Sequence, residues 1–442
     1  MNTATPVFAE SPFKIAMTRV RWRIFSYMFG FGLLAYMQQK SLTVAAQQMM
    51  PELGLTQMQV GWLQQAFVIG YCALQLPAGV FGQRHGAHRT MMWMGVLSFL
   101  AVIMTPLAPV MFSGQALFVA LLCAQLLLGL AQAALFPVSA GVFEAWFPPS
   151  RWAFVEGLQT AGLGLGAAIT PPLIASLMLV IGWQAALFWT SVPALALIAG
   201  WMWYGRDTPR QHSKVTALEL SEIGPASHAT VDSTISWSRV QALLLNKNLL
   251  LITLSYILMN YAFYLLSNWC FLYLVQERHF SVLTSGLLAS VPPLASAIGA
   301  GLGGALTGRL CARFGTAWGF RLIPLIALPV SAVLLIVAVS VSSPLAAVAA
   351  LALCFGFVEL TEGSYWGAAI TFGRSDSMAV CGVMNTGGNL GGIICIPIVA
   401  YLSGHGAWDA AFFIGSGCAV IAALAWLGID SSRIIGLEGS AV

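Results

Sequence analysis

The sequence predicts an all-α membrane protein, with twelve transmembrane helices in two pseudo-symmetric six-helix bundles. Three observations carry this. The 442 residues are 59% hydrophobic and 8% charged, against about 25% charged in a soluble protein. No Asp, Glu, Lys or Arg occurs from Thr90 to Phe143 or from Gly157 to Gly205. Each interval is long enough for two crossings of roughly 20 residues. Finally, "GVFGQRHG" (79–86) returns as "GALTGRLC" (304–311), offset by 225 residues, with Arg84 and Arg309 each five positions after a glycine. Alternating β-barrel segments are absent, so the crossings are helical.

Taken in order, span 1 (23–45) follows Lys14, Arg19 and Arg21, with Arg23 at its start. Its apolar run is longer than the core of a cleaved signal peptide, so it is read as a retained helix. Span 2 (58–82) ends in the first Gly-to-Arg loop. Spans 3 (89–110) and 4 (115–143) fill the first charge-free interval, and spans 5 (152–179) and 6 (183–204) the second. Residues 206–247 form the one long polar stretch, read as a cytoplasmic linker. Beyond it lie spans 7 (248–275), 8 (282–308), 9 (318–340), 10 (344–371), 11 (377–402) and 12 (408–429). The domain division is then a cytoplasmic segment 1–22, bundles 23–205 and 248–430 around the linker, and a cytoplasmic tail 431–442.

Of the 19 Lys and Arg, all but Lys40 and Arg278 fall at the N-terminus, the C-terminus or the loops after spans 2, 4, 6, 8 and 10. Positive charge accumulates on the cytoplasmic side, so both termini are expected there, in a bacterial inner membrane. The same bias accounts for the formal charge of +4 without any nucleic-acid partner. No lysine follows a glycine-rich loop, so no P-loop for ATP is present. The eight cysteines are scattered through apolar segments without a CxxC pair, as small core residues. The six histidines sit in loops or at helix ends and form no metal-ligand set. No nucleophile–base pair suggests an enzyme, and no cofactor is implied. A secondary transporter acting as a monomer is the reading that remains.

The Gly-to-Arg loops resemble the loop motif of the major facilitator superfamily. Within it, "GWLQQAFVIGYCALQLPAG", "EAWFPPSR", "GLGLGAAITPPL" and "GVMNTGGNLGGIICIPIVA" resemble the anion:cation symporter family of sugar-acid and sialin-like transporters. The resemblance covers nearly all the membrane region. It implies two bundles rocking about a central site lined by spans 1, 4, 7 and 10, and organic anions carried with protons. The departures are specific. Where the family has Tyr-x-Asp-Arg, this chain has Tyr36, Met37, Gln38 and Gln39. Where it has Arg and then Glu in span 4, Gln125 and Gln132 stand. The loop aspartates are Gln83 and Gly308. An amide neither carries a proton near neutral pH nor clamps a carboxylate as Arg does, so the usual coupling and anion positions are neutral.

Lys40 is the Lys or Arg set well inside a helix. Either it snorkels to the surface on its flexible stem, or it faces a wet interior, as intramembrane charges generally do. Tyr36, Gln39, Lys40 and Thr43 share a face that would offer donors and one positive charge to an anion. Glu359 and Glu362 are the acidic counterpart on one face of span 10. Two close carboxylates in low dielectric tend to share a proton, so they are the expected proton-coupling pair, unless they are tied to Lys40 or lie at the cavity mouth. Trp366 is placed to stack on substrate. Tyr261 and Tyr264 offer hydroxyls from span 7; Trp269 beside them is either a site residue or part of an interfacial belt. Asn385 and Asn389, among glycines in span 11, either bind substrate or bond between helices. Gln64, Gln65, Tyr71, Gln75 and Gln159 are weaker candidates. Arg84, Glu144, Arg151 and Arg309 lie at cytoplasmic helix ends, where a charged latch would gate the transporter.

The expected function is movement of a small polar metabolite, an organic anion such as a sugar acid, across the inner membrane by alternating access. The glutamines leave an alternative open: an exporter or facilitator of a neutral or zwitterionic compound or a biosynthetic product. From another class, a non-transporting receptor would bind without flux.

Overall fold

A computed structural model describes residues 20–224, 237–280 and 288–433. Among them every regular element is helical. Eight stretches are long and apolar enough to cross a membrane, and three of these, Pro149–Tyr204, Val291–Ser340 and Pro344–Gly404, each hold two crossings. Val20–Leu53 adds the first, its middle made polar by Gln38, Gln39 and Lys40. The chain is a multi-pass integral membrane protein with twelve spans.

Span 1 is Val20–Leu53, span 2 Gln57–His85 and span 3 Ala87–Met111. Span 4 covers Gly114–Gln132 and Leu135–Trp146; spans 5 and 6 run through Trp152–Tyr204. Span 7 is Lys247–Gln276, spans 8 and 9 share Val291–Ser340, and span 10 covers Pro344–Glu359 and Glu362–Gly373. Spans 11 and 12 are Ser377–Gly404 and Trp408–Ala425. The helices outrun the sequence-based limits by up to eight residues, as at Leu53, because polar helix ends continue past the apolar run. Spans 5 and 6 reverse at Gly182 (φ 77°), and spans 8 and 9 at Gly315 (φ 76°), a left-handed backbone that glycine adopts without a Cβ clash.

Two spans break at matching places. Span 4 is interrupted after Gln132, where Pro137 has no N–H to bond the Ala133 carbonyl. Span 10 is interrupted after Glu359, where the Thr361 hydroxyl donates to the Val358 carbonyl at 2.6 Å and competes with the helical ladder.

Val20 and Arg433 lie at the same end of the bundle, called here the terminal face. The linker helix Ala217–Ile223 docks on this face. Its Glu219 carboxylate accepts the Val20 and Arg21 backbone N–H groups at 3.2 and 3.0 Å, and Glu222 pairs with Arg21 at 2.7 Å. A carboxylate here satisfies orphan donors of span 1 and complements its dipole. Part of the polar stretch is thus an ordered cap, which its composition did not reveal.

The halves meet along two seams. Span 5 packs on span 8 so closely that a Cβ on Gly304 would stand 2.5 Å from the Ala153 carbonyl oxygen. Span 2 packs on span 11, where a Cβ on Gly382 would stand 2.9 Å from the Gln75 carbonyl oxygen.

Candidate functional site

Between the halves lies a cavity of about 980 Å³, counting the open space at its mouth. Its N-terminal-half wall presents Tyr36, Gln39, Tyr71 and Gln132. Its other wall presents Tyr256, Asn260, Tyr264, Glu359, Glu362, Asn385 and Asn389.

On the terminal side the cavity is shut. Hydrogen bonds between the halves join residues 72–83 and 144 to residues 375–386. Asn385 Nδ2 donates to Gln75 Oε1 at 2.9 Å, the Ser377 hydroxyl to Glu144 at 2.6 Å, and Gln83 Nε2 to Asp376 at 2.8 Å. Below the cavity the Phe136 and Trp366 rings stack across the halves at 5.0 Å. Ser267, Pro293 and Ser296 line the other end, where no side-chain hydrogen bond joins the halves among the described residues. The structure is therefore open away from the terminal face.

The neutral wall is internally satisfied. Gln132 Nε2 donates to Gln38 Oε1 at 2.9 Å, both residues buried. Two positions where the resemblance implied carboxylates are thus joined by an amide pair. The acidic wall is different. Glu362 Oε2 accepts from Trp366 Nε1 at 2.7 Å and from the Tyr256 hydroxyl at 3.2 Å. Glu359 has no hydrogen-bond partner among the described residues, and no Lys or Arg lines the cavity there. Gln132 and Glu359 are each the last residue before the break in spans 4 and 10. The carboxylate missing from one half stands at the matching place in the other.

Span 11 builds a short network beside them. The Tyr264 hydroxyl donates to Asn389 Oδ1 at 2.8 Å, and Asn389 Nδ2 donates to the Asn385 carbonyl at 2.8 Å. These bonds fix which amide edges face the cavity.

Of the substrate-binding candidates, Tyr36, Gln39, Gln132, Tyr264, Asn385 and Asn389 come together at the cavity, with Glu359 and Glu362. Four others lie elsewhere. Gln125 turns to Thr105 of span 3 at 3.4 Å. The Tyr261 ring packs near Gly415 of span 12 and its hydroxyl has no partner among the described residues. Trp366, only 1% exposed, forms part of the floor. Lys40 lies one turn beyond Tyr36 on the same face, toward the open end, and pairs with no carboxylate among the described residues. Trp269 packs edge-on against Trp408. Of the latch, Glu144 bridges the halves, while exposed Arg151 lies over Phe154 of its own half at 5.8 Å, and Arg84 and Arg309 are exposed at the terminal face.

Sequence reasoning missed two residues. Tyr256 sits one helical turn before Asn260 on the cavity face of span 7, a spacing that could have found it. Glu156 lies near the start of span 5, yet it is wholly buried and neither carboxylate oxygen has a partner among the described residues.

The sequence model of the Major Facilitator Superfamily matches residues 28–373. The chain is 27% identical to the "Probable sulfoacetate transporter SauU" of Cupriavidus necator, covering 93% of this chain and 94% of that protein. It is 26% identical to the "Hexuronate transporter" of Bacillus subtilis, over 90% and 92%. Among solved structures, the proton:xylose symporter XylE bound to 6-bromo-6-deoxy-D-glucose superimposes with a TM-score of 0.77 at 12% identity, over 95% of this chain and 98% of that one.

Proposed function

The chain belongs to the Major Facilitator Superfamily, and from that premise we propose that it carries a small organic anion, a sugar acid or a short carboxylate or sulfonate, together with protons. The names of the two relatives support the substrate class. One observation carries the mechanism: two carboxylates, Glu359 and Glu362, line a cavity that no Lys or Arg lines among the described residues.

An anion does not bind beside two unpaired negative charges in low dielectric. Protonation of the pair removes the repulsion and turns each carboxyl into a donor. Proton and anion therefore favour each other's binding in the same cavity, which is positive linkage. Tyr36, Gln39, Tyr264, Asn385 and Asn389 supply neutral hydrogen bonds that orient the substrate. Lys40, a turn nearer the mouth, supplies the positive charge that draws the anion in. Tyr256 and Trp366, bonded to Glu362, hold its carboxyl in place and lie against the floor that must part. Glu144, with Arg84, Arg151 and Arg309 near the terminal face, governs that opening.

The terminal face is cytoplasmic on the positive-charge bias, the membrane is a bacterial inner membrane, and the protein works as a monomer. The bundles are 23–205 and 248–430, joined by the linker 206–247. The test is uptake of a sugar-acid and sulfonate panel into proteoliposomes under an imposed pH gradient. Accumulation that follows the gradient is expected; binding without flux would replace the reading with a receptor.

The amide pair Gln38–Gln132 and the amide-rich wall favour a second reading, a carrier of a neutral or zwitterionic polar compound. It would require substrate affinity that does not fall as the carboxylates ionise.

A further inference from the structure

Glu156 stands one turn into span 5, between two residues that pack against the other half. Ala153 and Gly157 both meet Gly304 of span 8, and Ala153 also meets Gly363 and Gly367 of span 10. Glu156 is 0% exposed and both of its oxygens lack a partner among the described residues. It lies under the cavity floor, in the seam that seals the terminal side.

The groups around it offer no compensation. Glu362 of span 10 and the Cys381 thiol of span 11 are its titratable neighbours, and neither brings a positive charge. Span 8 faces it with Ala300 and Gly304, and its Arg309 is exposed at the terminal face. From span 4, Glu144 is bonded to Ser377, and from the turn after span 10, Arg374 lies over the Trp152 ring at 5.7 Å. From span 1, Arg21 is paired with Glu222 and Arg23 lies over Tyr204. An isolated ionised carboxylate in such a seam is prohibitively costly, whereas a neutral one is tolerable. When the halves part on the terminal side, water reaches the same group and it can ionise.

We propose that Glu156 is a protonation site that locks the terminal-side seam: it holds a proton while the seam is sealed and releases it to terminal-side water when the seam opens. Acid on the terminal side then holds the transporter open to the other side, and alkali releases it. The inference rests on the alternating-access reading but not on the substrate, nor on coupling at Glu359 and Glu362.

The experiment needs no substrate. A cysteine replaces Ser267, which lines the cavity toward its open end. In proteoliposomes its labelling by a membrane-impermeant maleimide reports the sealed-seam population of molecules whose open end faces the bath. Bath pH is held constant, so thiol reactivity is constant, and lumenal pH is stepped from about 6 to about 8; the parent chain gives the background. One linked proton changes the sealed-to-open ratio by up to about tenfold per pH unit. Labelling should fall as the lumen becomes alkaline, and Glu156→Gln and Glu156→Met should both label at the acid level at every lumenal pH. The proposal is overturned by a pH dependence that persists in both variants, by its absence from the parent with the reporter, or by its loss in Glu362→Gln with retention in Glu156→Gln. If the sugar-acid panel shows no flux and the two variants still flatten the curve, the substrate reading fails and the lock stands.

Discussion

Replacing Glu359 and Glu362 by glutamine, singly and together, removes the titratable groups from the cavity while keeping their shape. The bonds that hold Glu362 survive, because a glutamine oxygen can still accept from Trp366 Nε1 and the Tyr256 hydroxyl, now at 2.7 and 3.2 Å. The losses should therefore be in coupling more than in folding. Each carried proton converts one pH unit into about 1.4 kcal/mol, or tenfold in substrate ratio. With membrane voltage clamped at zero and a gradient of about one unit, one proton per substrate gives up to about tenfold accumulation and two give up to about a hundredfold. The double variant should reach a ratio near one while retaining exchange of labelled for unlabelled substrate. The measurement is the steady inside-to-outside ratio of radiolabelled substrate in proteoliposomes. Accumulation by the double variant, driven by pH alone, would refute the assignment of coupling to span 10.

Lys40→Gln should weaken binding of an anionic substrate by about one to two orders of magnitude, from the roughly 1.5–3 kcal/mol of a charge-assisted contact, and Lys40→Arg should restore it only in part; equal affinities by calorimetry would leave Lys40 a snorkelling residue. Arg84→Ala and Glu144→Gln should slow transport with equilibrium binding nearly intact, since both lie away from the cavity; a large affinity loss without a change in exchange rate would count against a gating role. Gly304→Val places side-chain atoms where a Cβ alone comes within 2.5 Å of the Ala153 carbonyl, so the terminal-side seam should part and a maleimide applied to that face should reach the cavity; unchanged protection there would contradict the close packing of spans 5 and 8.

Much of the architecture was legible because lipid leaves the chain few choices: charge-free intervals must be helices, and paired loop motifs mark paired halves. The cavity was legible where polarity interrupts apolar sequence, as at Tyr36, Gln39, Glu359 and Asn389. It was not legible where a polar residue is consumed by a neighbour. Gln125 and Gln132 look alike in the sequence, yet one turns to Thr105 of span 3 and the other lines the cavity paired with Gln38. Trp366 looked like a stacking surface because the sequence cannot reveal that Phe136 of the other half already covers it. The burial of Glu156, near the start of span 5, was not legible because spans 8 and 10 of the second half pack on its neighbours Ala153 and Gly157.

The central claim is that an organic anion moves through this cavity together with protons. It is tested most directly by purified protein in sealed proteoliposomes, with a pH electrode recording the bath while hexuronate or sulfoacetate is added and no other gradient is present. The account expects the bath to become more alkaline as protons follow the anion inward, with the signal abolished in the Glu359→Gln/Glu362→Gln double variant. Substrate uptake with no proton movement, or proton movement that survives in the double variant, would contradict it.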